Sequence, residues 1–244
     1  MPPKLLLPTW TVENFKPVAL QVLDTHTKTE RVDYKFCVPE NLLDELLDCL
    51  RSLDFAVVDL GNGVTVNEYK TVYFDDEHYT SFHHHRCGKL PRKKWRYRLY
   101  KATGESFLEE KTKTKSKKTI KKRVLVSEKD DFATILQQEF DASNLQKSLS
   151  IHYKRVSFLS SSTNVKVTLD RFLTVEQTKI LPNFLILEIK VPKNGGRTFS
   201  ILKKFLHSHR IQEISFSKYC VGLCYKYSHL PRNKWKQVFK KYIY

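Results

Sequence analysis

Trp95-Arg96-Tyr97-Arg98-Leu99-Tyr100, then Phe107-Leu108-Glu109-Glu110-Lys111-Thr112-Lys113, then Thr119-Ile120-Lys121-Lys122-Arg123-Val124: these three runs decide the fold. Turn residues Ala102-Thr103-Gly104 separate the first two, and a turn near Ser116 leads into the third. Successive side chains of a strand point to opposite faces. Arg96 and Arg98 therefore share a face against Trp95, Tyr97 and Leu99; Glu109, Lys111 and Lys113 oppose Leu108, and Lys121 and Arg123 oppose Ile120. A two-faced strand ordinarily turns its charges to water, but like charges opposite one another across a sheet repel. Arg96, Arg98, Lys111, Lys113, Lys121 and Arg123 on adjacent strands make sense once a polyanion lies against them. These strands are expected to form part of a cation-lined wall around a chain of phosphates.

Composition bounds this reading. The 244 residues suffice for one large all-β or α+β domain, or two small ones. A hydrophobic share of 41%, 12% aromatics and only 7 Gly describe a packed core and not a disordered chain. Lys+Arg of 43 against Asp+Glu of 26 give a formal net charge of +17, which calls for an anionic partner: nucleic acid, anionic membrane or a phosphorylated small molecule. The five cysteines, Cys37, Cys49, Cys87, Cys220 and Cys224, are scattered, and the last two lack the two-residue spacer of a zinc or redox pair. They read as reduced thiols of a cytoplasmic protein. Leu5-Leu6-Leu7 is too short for a signal-peptide core, and no apolar run approaches the ~20 residues that span a bilayer. A soluble chain is expected.

Working outward, residues 1–29 read as an extension packed on a domain of residues 30–244, with a short helix over Val18–Leu23. Glu30–Val38 alternates as a strand, with Arg31, Asp33 and Lys35 opposite Val32, Tyr34, Phe36 and Val38. Pro39-Glu40-Asn41 opens a helix striped by Leu42, Leu43, Leu46, Leu47, Leu50 and Leu53. Phe55–Leu60, Gly61-Asn62-Gly63 and Val64–Val66 read as a strand, a tight turn and its return. Tyr69–Phe74 is a further strand, and His78–Leu90 a loop or short helix. Asp130–Leu149 has helical spacing. Strands follow at Ile151–Phe158, with Tyr153, Arg155 and Ser157 on one face, at Val165–Asp170, with Lys166, Thr168 and Asp170 together, and at Phe184–Val191, with Glu188 and Lys190 together. Helices are expected over Arg197–Arg210 and along the stripe Trp235, Val238, Phe239, Tyr242. Strands charged on one side and apolar on the other cannot make an ordinary sandwich. They fit a closed barrel with a polar lumen, covered outside by amphipathic helices.

The order of these pieces is specific. Asp33 and Lys35, Tyr73-Phe74-Asp75, Arg96-Tyr97-Arg98, Phe107-Leu108-Glu109-Glu110-Lys111 and Ile120-Lys121-Lys122-Arg123 are followed by Tyr153-Lys154-Arg155, Val167-Thr168-Leu169-Asp170, Leu187-Glu188-Ile189-Lys190 and Ser217-Lys218-Tyr219-Cys220-Val221-Gly222. In this order the chain resembles the VTC domain, the polyphosphate polymerase domain of the triphosphate tunnel metalloenzyme (CYTH-like) superfamily, over Glu30 to Gly222. The resemblance implies an α+β fold, a closed antiparallel β-barrel tunnel with helices packed outside, whose basic lumen holds a triphosphate or polyphosphate, with Mn²⁺ or Mg²⁺ as cofactor. It places the family's lumen cations on Lys35, Arg96, Arg98, Lys111, Lys121, Arg155 and Lys218, and the metal-binding carboxylate on Glu188. Lys166 stands where the family has an arginine, which keeps the charge and loses the bidentate fork. The acidic first-strand motif of many tunnel enzymes is reduced to Asp33 and Lys35. The regulatory inositol-phosphate-sensing domain and membrane segment of the eukaryotic polymerases are not read in this sequence.

Phosphoryl transfer is mostly positioning and charge stabilisation, so arginine forks, lysine point charges and one metal-binding carboxylate are an adequate set. The expected activity is a phosphotransferase that passes the γ-phosphoryl group of ATP to a polyphosphate chain. A triphosphatase, a polyphosphate hydrolase and a non-catalytic polyphosphate binder remain open. A nucleic-acid-binding module is disfavoured, because Asp33, Glu109, Asp170 and Glu188 share the cationic faces and would repel a phosphate backbone. Asp170 and Glu109 serve as second metal ligands or as partners that orient the lysines. His83-His84-His85 with His78 reads as a metal cluster, as solvated loop histidines or as phosphate donors at the tunnel mouth, and Tyr73 and Phe74 as nucleotide-stacking or core aromatics.

Overall fold

The structure, a computed structural model, describes residues 10–22, 31–116, 118–192 and 196–243. The Leu5-Leu6-Leu7 run, Leu23 and Glu30 lie outside the described residues. The strands are β1 (Pro17–Ala19), β2 (Arg31–Pro39), β3 (Phe55–Asp59), β4 (Val66–Asp75), β5 (Trp95–Tyr100), β6 (Ser106–Lys113), β7 (Thr119–Leu125), β8 (Gln146–Ser160), β9 (Lys166–Val175), β10 (Thr178–Lys179) and β11 (Phe184–Pro192). The helices are α1 (Leu43–Ser52), α2 (Thr80–Cys87), α3 (Phe132–Phe140), α4 (Gly196–Ser208), α5 (Lys218–Lys226) and α6 (Lys236–Tyr242). The chain divides into two compact units.

Unit one holds residues up to Thr65, Val156–Leu169 and Ile186–Glu213. Its strand order is β2-β11-β9-β8, and β8 also takes β3. The leucines of α1 recur at the spacing that puts Leu43, Leu46, Leu47 and Leu50 on one face, and all four are buried. Asp44 and Glu45 in the first turn complement the helix dipole. Leu42 falls outside this stripe, in the 3-10 turn Glu40–Leu42 that precedes α1. The short helix expected over Val18–Leu23 is instead a strand where it begins. β1 pairs in parallel with β3, Val18 opposite Val58, because β-branched Val18 packs there against Val58 and Leu159. Phe15 adds a ring contact to Phe158 at 4.8 Å. Gly61 and Gly63 adopt φ of 122° and 76°, and the Asp59 carboxylate accepts both of their N–H groups. The turn is as expected, but β3 pairs with β1 and β8, and the expected return strand merges with the next one into β4.

Unit two holds Val66–Arg155, Asp170–Leu185 and Ile214–Tyr244. Its strand order is β9-β8-β4-β5-β6-β7. β4 to β7 form a meander, with Tyr73 opposite Arg96, Arg96 opposite Glu109 and Glu109 opposite Arg123. The other face of the meander is apolar. Phe74, Tyr97 and Leu108 are buried there against Leu136 and Phe140 of α3, the helix that covers it. Asp131 caps α3 by accepting from the Ala133 N–H. The helix stops at Phe140, well short of Leu149, because Asp141 takes a left-handed φ of 49° and the chain enters β8 at Gln146. α2 realises the helical alternative for His78–Leu90. Its N-terminus rests on the Asp75 carboxylate, which accepts from the N–H groups of Ser81 and Phe82. Gly222 lets α5 approach β8, since a Cβ there would lie 2.7 Å from Leu149.

The antiparallel, sheet-dominated α+β character matches expectation, but the closed barrel does not. Among the described residues the strand path ends at β2 and β7, and the sheet is not closed. β7 carries Lys121-Lys122-Arg123 in succession and is exposed almost throughout, and lysine-rich, exposed edge strands resist further pairing. The five cysteines are free thiols, as expected. No described helix is long and apolar enough to cross a membrane.

Leu108 is fully buried and Ile120 is 58% exposed, on strands that neighbour each other. Leu108→Ala should cost about 2–5 kcal/mol in urea unfolding, by lost burial and a residual cavity. Ile120→Ala should stay within about 0.5 kcal/mol. Equal losses would show that α3 does not cover the face assigned to it.

Candidate functional site

The covered apolar face of the β4–β7 meander leaves its opposite face to the charges. Arg96 and Arg98 of β5 project there, and register puts Glu109 beside Arg96 and Arg123, and Lys111 directly opposite Lys121. Lys113 continues the same row along β6. The ladder also extends past the N-terminal end of β5. Lys94 and Lys111 exchange backbone hydrogen bonds of 3.1 and 2.9 Å, and Arg92 and Lys113 exchange bonds of 3.0 and 2.8 Å. Arg92 and Lys94 therefore join the cationic face, though the sequence reading left both out. The alternation Arg92, Lys94, Arg96, Arg98 was the available signal.

Two carboxylates anchor this face. Glu109 is 1% exposed; its Oε2 accepts from Arg96 Nε at 2.6 Å and its Oε1 meets Lys121 Nζ. Burial would raise the Glu109 carboxyl, but Arg96, Arg98 and Lys121 outweigh it and hold it down at about 2. Asp170, equally buried, takes Arg155 in a two-pronged pair, Nε to Oδ1 and Nη2 to Oδ2, and Lys218 Nζ on Oδ2. Burial opposes its ionisation, but Arg155 and then Lys218 hold its carboxyl below the usual range. Both acids are thus ion-pair partners of cations in this structure.

Tyrosines fix the remaining geometry. Tyr69 and Tyr153 stack at 4.9 Å and 13°. Arg98 lies 5.0 Å from the Tyr69 centroid and 5.8 Å from that of Tyr153, Arg155 lies 5.7 and 5.5 Å from the same two, and Lys218 Nζ 4.5 Å from Tyr153. Arg98 Nε also donates to Thr71 Oγ1 at 3.1 Å. Cation–π contact positions these charges without neutralising them. Burial pushes the Tyr69 hydroxyl up to about 12. At Tyr73 burial acts in the same direction, yet Arg96, Arg98 and Lys94 prevail and its hydroxyl is lowered. That reversal reports a strongly positive local potential. Arg123 completes the face, 4.8 Å over the Phe107 ring. Tyr73 packs on Tyr219 at 4.9 Å, whereas Phe74 belongs to the apolar core.

The other expected residues lie in unit one. Lys35 Nζ and Lys190 Nζ approach Glu188 Oε1 at 3.3 and 2.7 Å, and Lys190 reaches Asp33 Oδ2 at 3.3 Å. Lys166 begins β9 in the same unit, half-buried. The described residues contain no group of three or more His, Cys, Asp or Glu side chains able to hold a metal ion. His83, His84 and His85 lie on α2, where His85 stacks on Trp235 at 6.2 Å and 12°. Among the described residues they do not form a metal cluster, one of the three readings.

A pH dependence follows from Glu109. Its folded value of about 2 lies below the unfolded value of 4.5, so its stabilisation is present above the unfolded value and fades as pH falls towards 2. Glu109→Gln should lose on the order of 3 kcal/mol at pH 7. The gap between the two proteins should shrink between about pH 5 and 2 in acid unfolding. A gap independent of pH would place the carboxylate outside the ion-pair network.

The VTC domain family profile matches residues 30–141 and 128–227. No curated protein matches the chain. Among solved structures, a Bacillus halodurans protein provisionally named an adenylate cyclase is 11% identical, with TM-score 0.50, over 78% of this chain and 94% of that one. A Hippeastrum protein, provisionally named an adenylyl cyclase and described with a dominant triphosphatase activity, is 14% identical, with TM-score 0.49, over 84% of this chain and 100% of that one. The first likeness agrees with the fold described above. The profile match spans most of the chain, and the protein belongs to the VTC domain family.

Proposed function

We propose that the protein is a polyphosphate polymerase-like phosphotransferase of the triphosphate tunnel type, passing the γ-phosphoryl group of ATP to the end of a polyphosphate chain. Residues 30–244 act as the catalytic domain, with residues 1–29 as an extension packed on it. Family membership supports the class of substrate. The observation that carries the reading is the meander's charged face, on which Arg92, Lys94, Arg96, Arg98, Lys111, Lys113, Lys121 and Arg123 far outnumber the acids Glu109 and Asp75.

That imbalance suits a ligand made of linked phosphates. Arg96, Arg98 and Arg155 offer planar donor forks for paired phosphate oxygens, while Lys111, Lys121 and Lys218 offer movable point charges. In the proposed reaction a terminal phosphate oxygen of the chain attacks the γ-phosphorus of ATP. The bond from that phosphorus to the β,γ-bridging oxygen breaks, and ADP leaves with the electron pair. The attacking oxygen is already an anion, so no general base is needed, and the cations stabilise charge shifting to the leaving oxygen. Lys35, Lys113, Arg123 and Lys166 are assigned to holding phosphates.

A divalent cation, Mn²⁺ or Mg²⁺, is assigned to Glu188. The donor set fits an ion that arrives on phosphate oxygens and keeps its waters, since one carboxylate flanked by Lys35 and Lys190 is too little for an all-protein cage. When bound, such an ion neutralises charge on the phosphate oxygens.

The purified chain, incubated with ATP and Mn²⁺, should release ADP and yield long polyphosphate on a stained gel. Phosphate release without polymer would make it a hydrolase, and neither product would leave it a binder. Lys111→Ala should lower turnover by about 10²–10³-fold with an unchanged melting temperature, as removal of one transition-state charge contact does. Full activity in that variant would remove the meander face from the reaction.

A further inference from the structure

We propose that α6, together with the C-terminal end of α2, forms a docking surface for an anionic phospholipid bilayer. The family profile stops at residue 227, so the 3-10 turn Asn233–Trp235 and α6 lie beyond what the family accounts for. The histidine run of α2 likewise has no part in the proposed chemistry. The structure joins these two leftovers. Trp235, 1% exposed, packs its ring 5.9 Å from Phe82 and stacks on His85. Lys234 Nζ donates to the carbonyls of His85 and Arg86 at 3.1 and 3.3 Å, where the end of a helix offers acceptors and negative potential. Arg232 sits 5.0 Å over the Phe239 ring.

This packing turns the apolar stripe of α6 inward, with Val238 and Ile243 buried, and leaves Arg232, Lys234, Lys236, Lys240 and Lys241 exposed. None of the chain's 26 acidic residues falls within residues 214–244 or 78–104, the segments that meet at Trp235. Cations gathered without acids between them complement a negative surface. Among the described residues the exposed side carries mainly lysines, compact point charges that answer a diffuse field, and no exposed aromatic platform of the kind that stacks nucleic-acid bases. None of the large exposed apolar side chains lies on it, so association is peripheral and electrostatic, without insertion.

Co-sedimentation of the full chain with vesicles tests this surface. Binding is expected to phosphatidylcholine vesicles containing about 30% phosphatidylserine, to weaken with salt, and to be absent with phosphatidylcholine alone. The Lys236→Gln/Lys240→Gln/Lys241→Gln variant should bind about a hundredfold more weakly at an unchanged melting temperature, roughly fivefold per charge. Lys240→Gln alone should give that fivefold step if the triple variant folds poorly. Lys111→Ala/Lys121→Ala should bind vesicles as the unaltered chain does, which separates this surface from the phosphate-transfer reading. Undiminished binding in the triple variant, or no binding to phosphatidylserine vesicles, would overturn the proposal. So would tighter binding to duplex DNA at the same salt that the triple variant loses.

Discussion

Two buried carboxylates holding more cations than they can neutralise are the constraint on which unit two depends. Glu109 and Asp170 are each 1% exposed, and a buried carboxylate persists as an anion only where ion pairs and hydrogen bonds replace its lost hydration. Arg96 and Lys121 do this for Glu109, and Arg155 and Lys218 for Asp170. Each acid thereby fixes two cations that would otherwise repel. Once fixed, those cations exceed the carboxylates in number, and the excess is a net positive charge on this face. Removing an acid leaves cations facing each other, while removing an outlying lysine relieves repulsion.

The tyrosines extend this logic. Arg98 lies over Tyr69 and Tyr153 and donates to Thr71, and none of these partners carries a negative charge. A guanidinium stabilised this way keeps its full charge in a buried place, at 6% exposure. A carboxylate in the same position would hold it as firmly but cancel it. The choice of aromatic over acidic partners at Arg98 is the difference between a structural ion pair and a site poised for an anion. Tyr73 registers the consequence, since its phenol is buried and still lowered by the surrounding cations.

The sequence made the meander legible because three local signals agreed there. Alternation assigned the faces, the turns at Ala102-Thr103-Gly104 and Ser116 set the register, and the helical spacing of Phe132, Leu136 and Phe140 supplied a cover for the apolar side. Where a signal stood alone, the reading slipped. Val18 and its neighbours lacked any mark of a three-residue strand, because β1 exists only through its pairing with β3. The helix from Phe132 was read too long because nothing in the apolar spacing marks Asp141 as left-handed. Arg92 and Lys94 escaped because strand pairing with Lys113 and Lys111 is a tertiary fact. Closure of the sheet was inferred from two-faced strands, yet closure is a property of edges, and β7 presents a lysine-rich one.

Unit one presents the contrasting arrangement. Around Glu188 and Asp33 the structure places Lys35, Lys190 and Arg31, so acids and bases nearly balance. Charges in such a cluster satisfy one another and leave little net field, whereas the meander face is strongly one-sided. Charge balance at Glu188 and charge excess on the meander are thus two outcomes of the same pairing chemistry: acids matched to bases leave little field, and bases left over create a positive potential that the lowered Tyr73 phenol reports.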